Sequence, residues 1–301
     1  MRLIASLFAL LSLCALGACG AGNRDASDAM LLEGEGAPSP LLYEITSDYG
    51  SVEGWLFGTI HALPDGVTWR NEAIERVSEQ ADHLLVEVAA MEDRQGIART
   101  FTELATTPDL GPLPPRIDPE LHAALADMIV RSETPLGDFN ETETWAAAIM
   151  LAQVDAIGRP RNGVDRALIR DFNDRVVGGF ETPGMQLGVF DALDEEDQRD
   201  LLEGTVREWM VSRDNPGWLT RAWLRGDLET IENATSQGIM ADPELREALL
   251  VQRNRDWMGT LLAALQSSRR PLIAVGTAHI VGPDGLPALL EAEGYSVRRI
   301  Q

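Results

Sequence analysis

Two stretches of the chain read almost alike. Trp55-Leu56-Phe57-Gly58-Thr59-Ile60-His61 runs on to Pro64-Asp65-Gly66, and Ile273-Ala274-Val275-Gly276-Thr277-Ala278-His279 runs on to Pro283-Asp284-Gly285. Each is an apolar strand followed by Gly-Thr-x-His and a turn, so the chain carries an internal repeat at an offset of 279 − 61 = 218 positions. Each copy sets a histidine just past the carboxyl end of a buried strand, the edge at which open α/β sheets place their ligands. Gly58 and Gly276 give the backbone room for an unusual angle or a close approach there. If the two strands share one sheet, His61 and His279 converge on that edge.

Reading outward, Leu41–Ile45 and the run from Trp55 to Phe57 flank a polar turn and predict a hairpin. Asn71 to Gln80 carries Ala73, Ile74 and Val77 at helical spacing, and 83–89 is an apolar run broken by the single carboxylate Glu87, which predicts a buried strand. From about 91 to 266 the pattern is helical. Asn140 with Glu143 predicts a capping-box start, 165–177, 186–203 and 218–225 predict helices, and Asp242-Pro243 predicts a helix start leading past Trp257 to Leu265. The acidic run at 194–197 reads as a solvated helix start. The end returns to strand, turn, helix and strand over 271–300. The expected fold is α/β, with a mixed central sheet built from the N- and C-terminal segments and a large helical insertion, all within one domain over 41–301.

The charged residues narrow the chemistry. Lys+Arg is 25 against Asp+Glu 48, a net charge of −23, which argues against a nucleic-acid partner. All 25 cations are arginine, so lysine Schiff bases, P-loop lysines and Ser-Lys hydrolases are excluded. Gly-x-Ser-x-Gly, His-Glu-x-x-His and Gly-x-Gly-x-x-Gly motifs are absent. What remains is the repeat and Glu87, a carboxylate whose apolar surroundings demand a cation or strong donors. His61, Glu87 and His279 suffice as ligands for a catalytic divalent metal, Mn, Co or Zn; the alternative is metal-free general-base work by the same residues. His83 and His122 have no such context.

Residues 1–18 read as an export signal: Arg2, an apolar stretch from Leu3, then small residues. Leu16-Gly17-Ala18-Cys19 resembles the bacterial lipobox, which implies lipidation of Cys19. Residues 19–40 then serve as a flexible tether, and the expected location is the periplasmic face of the outer membrane, with a soluble periplasmic protein as the alternative.

The paired Gly-x-x-His motifs, the Glu87 strand, Asn162-Gly163-Val164-Asp165, Glu181-Thr182-Pro183 with Gln186, and Arg253-Asn254 with Trp257 resemble the TraB/GumN family, which is related to the Tiki proteins. The resemblance covers nearly all of 41–301. It implies a metal-dependent hydrolase with His61, Glu87 and His279 at its active site, acting on a peptide or a small-molecule amide or ester. The wider superfamily implies two alternatives: a non-catalytic haem or metal binder, and an accessory lipoprotein of envelope or polysaccharide export. Ala89 and Ala278 stand where the family often carries an acidic residue and a glycine. Asp165, Glu181 and Arg253 lie in motifs like the family's and are candidates for supporting roles; the alternative for Arg253 is a buried ion pair with Glu87 or Glu181.

Overall fold

The computed structural model describes residues 29, 32, 36–91 and 93–301. The expected signal, Cys19 and most of the expected tether lie outside them. Contacts with the domain begin before Leu41: Leu32 is buried, the Ser39 amide donates to Leu224, and Pro38 accepts from Asn71.

Six strands form one sheet in the order β4-β3-β5-β2-β1-β6. β1 (Leu42–Thr46) and β2 (Val52–Thr59) make the expected hairpin, and β6 (Ser296–Arg299) pairs antiparallel with β1. β3 (His83–Val88) and β5 (Pro271–Gly276) pair in parallel, and β5 pairs in parallel with β2. The two copies of the repeat therefore lie side by side in register, with Thr59 opposite Gly276. Apolar side chains alternate between two cores. Trp55, Phe57, Leu84, Val86, Leu272 and Ala274 face one side; Leu56, Leu85, Ile273 and Val275 face the other. Both faces are buried, which is why these strands read as unbroken apolar runs.

Helix Glu72–Gln80 begins at Asn71, whose side chain accepts from the amides of Ala73 and Ile74. Helices Val164–Asp171 and Gln252–Leu265 pack on opposite faces of the sheet. The middle of the chain builds a separate helical lobe around Phe139, Trp145, Phe190 and Leu201.

The middle segment departs from the expectation in three places. The helix expected over 165–177 ends at Asp171, and Val176–Glu181 is a strand, β4, at the sheet edge beside β3. Its Val-Val-Gly-Gly-Phe-Glu sequence is half exposed, so it lacks the apolar run that marked the other strands. The sheet thus also takes a strand from the insertion. The helix expected over 186–203 is two, Pro183–Asp191 and Glu195–Ser212. Asp194 caps the second by accepting from the amides of Glu196 and Asp197, so the acidic run is a helix start. Asn140 and Glu143 form no capping box: the helix starts at Thr144 behind Glu143, which makes no side-chain cap bond.

Candidate functional site

β2, β3, β4 and β5 run in the same direction, so their carboxyl ends share one edge of the sheet. That edge gathers His61 after β2, Glu87 near the end of β3, Glu181 closing β4, and His279 in the turn Thr277–Ile280 after β5. Asp165 joins them from the first turn of Val164–Asp171, Gln186 from Pro183–Asp191, and Arg253, Asn254 and Trp257 from Gln252–Leu265. A π-helical turn at Glu247–Val251 precedes that last helix. Such turns are frequent at functional sites.

The two histidines of the repeat receive different partners. His61 Nδ1 lies 2.7 Å from Asp165 Oδ2, and the Thr59 hydroxyl donates to the other carboxylate oxygen at 2.6 Å. His279 Nδ1 lies 2.6 Å from Asn254 Oδ1, and the Asn254 amide group is fixed by donating to the Asp284 carbonyl at 2.8 Å. One imidazole thus leans on a charged carboxylate and the other on a neutral amide. Burial opposes charge on His61, but the ionic and hydrogen-bonding pull of Asp165, with Glu87 behind it, outweighs burial and raises its pKa above the ordinary value. Burial, helped by Arg253 and His61, pushes His279 down to about 3 against the pull of Glu87. At neutral pH His279 is therefore neutral, with Nδ1–H donating and the lone pair on Nε2.

Glu87 is 1% exposed and fully engaged. The Gly276 amide donates to Oε1 at 2.6 Å, while Gln186 Nε2 at 3.3 Å and Arg253 at 3.1 Å donate to Oε2. Burial opposes its charge, yet the basic groups around it, His279, Arg253 and His61, hold its pKa below the usual range. Since His279 is neutral, the permanent charge on Arg253 secures that direction. Arg253 also grips Glu181 with two bonds of 2.9 and 3.0 Å, donates to the Leu249 carbonyl at 3.1 Å, and comes within 3.3 Å of His279 Nε2. Burial works against its charge too, but Glu87 and Glu181 raise its pKa further. The Trp257 indole donates to Glu181 at 2.8 Å and its ring lies against His279, centroids 4.4 Å apart.

The glycines of the repeat act differently. A side chain on Gly58 would run into Ile280 and Thr277 of the other copy, at 2.6 and 2.9 Å from its Cβ, so glycine lets the copies pack. Gly276 contributes its amide to Glu87.

A metal held by His61, Glu87 and His279 is what the motif pattern implies. His279 Nε2 and Glu87 Oε1 stand 3.8 Å apart, but the Arg253 guanidinium donates both to Glu87 and toward that Nε2. Glu87 Oε1 itself accepts from the Gly276 amide, and among the described residues no three His, Cys, Asp or Glu side chains are grouped to hold a metal. As arranged, the three residues do not fit a metal ion.

A cavity of about 390 Å³ opens beside His61, Thr59, Thr277 and Ala278. Glu87, Glu181, Arg253 and His279 do not line it. The edge cluster thus divides into His61 at the cavity wall and a sealed ionic network behind it.

The sequence brought out six of these side chains, His61, Glu87, Asp165, Glu181, Arg253 and His279, and assigned no roles to Asn254, Gln186 and Thr59. Asn254 and Trp257 stand one and four positions after Arg253 on one helix face, a spacing that was available as a signal. Gln186 Oε1 is buried without a hydrogen-bond partner among the described residues, an acceptor facing unmet demand beside Glu87.

A family model described as the TraB/PrgY/gumN family matches residues 41–299. No curated protein and no solved structure matches the chain.

Proposed function

The chain belongs to the TraB/PrgY/gumN family, and from that premise and the sheet-edge geometry we propose that it hydrolyses carboxylic ester or amide bonds with His61 as general base. The observation that carries the proposal is the 2.7 Å Asp165–His61 pair on the wall of a ligand-sized cavity.

With Nδ1–H donating to Asp165, His61 Nε2 holds the lone pair that accepts a proton. A water molecule bound between Nε2 and the substrate carbonyl gives that proton to Nε2 as its oxygen bonds to the carbonyl carbon. Asp165 stabilises the imidazolium so formed. As the bond to the leaving oxygen or nitrogen breaks, His61 returns the proton to it, yielding an acid and an alcohol or amine. Glu87 and Arg253 are positioning residues here: Glu87, on β3, accepts from the Gly276 amide at the end of β5, and the charges of Glu87 and Arg253 act on His61.

The test is turnover of p-nitrophenyl esters and fluorogenic peptides by the purified protein and by His61→Ala and Asp165→Asn. His61→Ala should lose about 100-fold or more, and chelation by EDTA should leave the wild-type rate unchanged. Wild-type turnover by His61→Ala would sink the proposal; a stoichiometric metal whose removal abolishes turnover would replace it with the metal-dependent mechanism. We also propose that the domain works at the periplasmic face of the outer membrane, held by lipid on Cys19. Labelled palmitate should enter the wild-type protein and not Cys19→Ser, and equal labelling would refute that anchor.

A further inference from the structure

The cavity beside His61 has a wall on which several polar groups are already spent on the protein. The Trp223 indole N–H donates to the Gly58 carbonyl at 2.8 Å, and that of Trp209 to Asp155 at 3.2 Å, so both present carbon surface. The hydroxyls of Thr205, Thr235 and Thr277 donate to the carbonyls of Leu201, Glu232 and Thr59 at 2.8, 2.9 and 2.8 Å. Glu208, 5% exposed, accepts from the Ile239 amide. Trp218, Leu219, Ile157 and Met240 complete an apolar lining. The charged residues on the wall, Arg131, Arg213 and Asp155, sit toward solvent and are tied to one another or to Asp127. Arg213 and Arg131 also lie against Trp209, at 4.7 and 5.9 Å from its ring.

A largely apolar chamber with a general base on its wall, one buried carboxylate, Glu208, already bonded to the Ile239 amide, and its remaining charges toward solvent matches an apolar acyl group whose carbonyl lies at His61. At about 30 Å³ for each water-sized group, a volume of about 390 Å³ holds on the order of a dozen non-hydrogen atoms. We propose that this cavity is the acyl-binding site, and that the substrate is a small-molecule ester or amide of a medium-chain acid with about ten carbons. The proposal rests on the hydrolase reading of His61 and adds the identity of the acyl side.

The first measurement is independent of turnover. Tryptophan fluorescence of the protein is titrated with 10-bromodecanoate, whose bromine quenches nearby indoles; the control is bromoacetate. Saturable quenching by the long probe alone is expected. In Ala156→Phe, a substitution outside any helix that fills part of the chamber, its dissociation constant should rise tenfold or more. Ala152→Leu is a second filling variant should the first fail to fold, as judged by circular dichroism.

The second measurement is turnover of p-nitrophenyl esters of two to twelve carbons. KM should fall roughly fourfold per methylene up to about ten carbons and then level or rise. The ratio of kcat/KM for ten carbons over two should drop at least tenfold in Ala156→Phe. Saturable quenching without ester turnover upholds the chamber and refutes the hydrolase. Turnover indifferent to chain length, with no quenching, upholds the hydrolase and refutes the chamber. Absence of both refutes both.

Discussion

Replacing Arg253 with methionine keeps the length of the side chain and removes the charge that Glu87 and Glu181 share. The Arg253, Glu87 and Glu181 side chains are 6%, 1% and 6% exposed, so the carboxylates left behind have little access to water in the folded state. Breaking a buried pair by removing one partner costs about 3–5 kcal/mol. For a domain of this size each kcal/mol moves Tm by about 2–4 °C, so Tm should fall by about 10 °C at pH 8. The loss has a pH signature. In the wild type Glu87 titrates below its ordinary value, so its stabilising contribution is present above the unfolded pKa and lost as pH falls through the folded one. Without the guanidinium, burial dominates and the folded pKa of Glu87 rises above the unfolded value. The folded variant then binds more protons than its unfolded chain in that window, so acid favours it. The Tm deficit should therefore narrow between pH 8 and pH 5. Thermal unfolding followed by circular dichroism at the two pH values measures it. A deficit under 2 °C at pH 8, or one equal at both pH values, would refute the argument that Arg253 neutralises a buried pair.

Asp165→Asn removes the carboxylate that raises His61, so the acid limb of the pH–rate profile should move to lower pH, with kcat reduced about 100-fold or more; an unmoved limb would show that His61 is not the titrating base. His279 titrates near 3 when folded against about 6.5 when unfolded, so between those values the unfolded chain binds more protons and acid weakens the fold. On that basis His279→Gln should recover about 3 kcal/mol relative to the wild type between pH 7 and 4.5, read as a shrinking difference in Tm, and a constant difference would contradict a neutral buried His279. Gly58→Ala should destabilise by about 1–3 kcal/mol, because its Cβ would meet Ile280 and Thr277. Urea unfolding measures that cost, and a neutral result would mean that Ile280 yields without strain.

The central sheet was readable because its strands are apolar on both faces and its ends repeat a motif. Period-2 alternation was not needed, since continuous runs such as Leu84–Val86 and Leu272–Val275 mark a strand covered on both sides. β4 escaped because an edge strand with Gly178 and Gly179 carries neither a run nor an alternation. At the site, the repeat marked two histidines, but their opposite electrostatics depend on Asp165, which reaches His61 from a helix 104 positions away, and on the burial of His279 beside Arg253. Matching motifs concealed that asymmetry. The chamber was illegible for a similar reason: Trp209, Trp218 and Trp223 look like ordinary core residues, and only their packing leaves a space between them.

The place of β5 in the sheet has a consequence for synthesis. β5 stands between β3 and β2, yet it begins 271 − 88 = 183 positions after β3 ends. At a translation rate of about 5–20 residues per second, the first three strands wait about 10–40 s for the one that joins them. Until then the β1–β2 hairpin and, later, the β3–β4 pair can form with nothing to join them, and the apolar flanks of β2 and β3 stay open to chaperones or to aggregation. A chain stopped short of residue 271 therefore loses the middle of its sheet, although it lacks only the last tenth of its length.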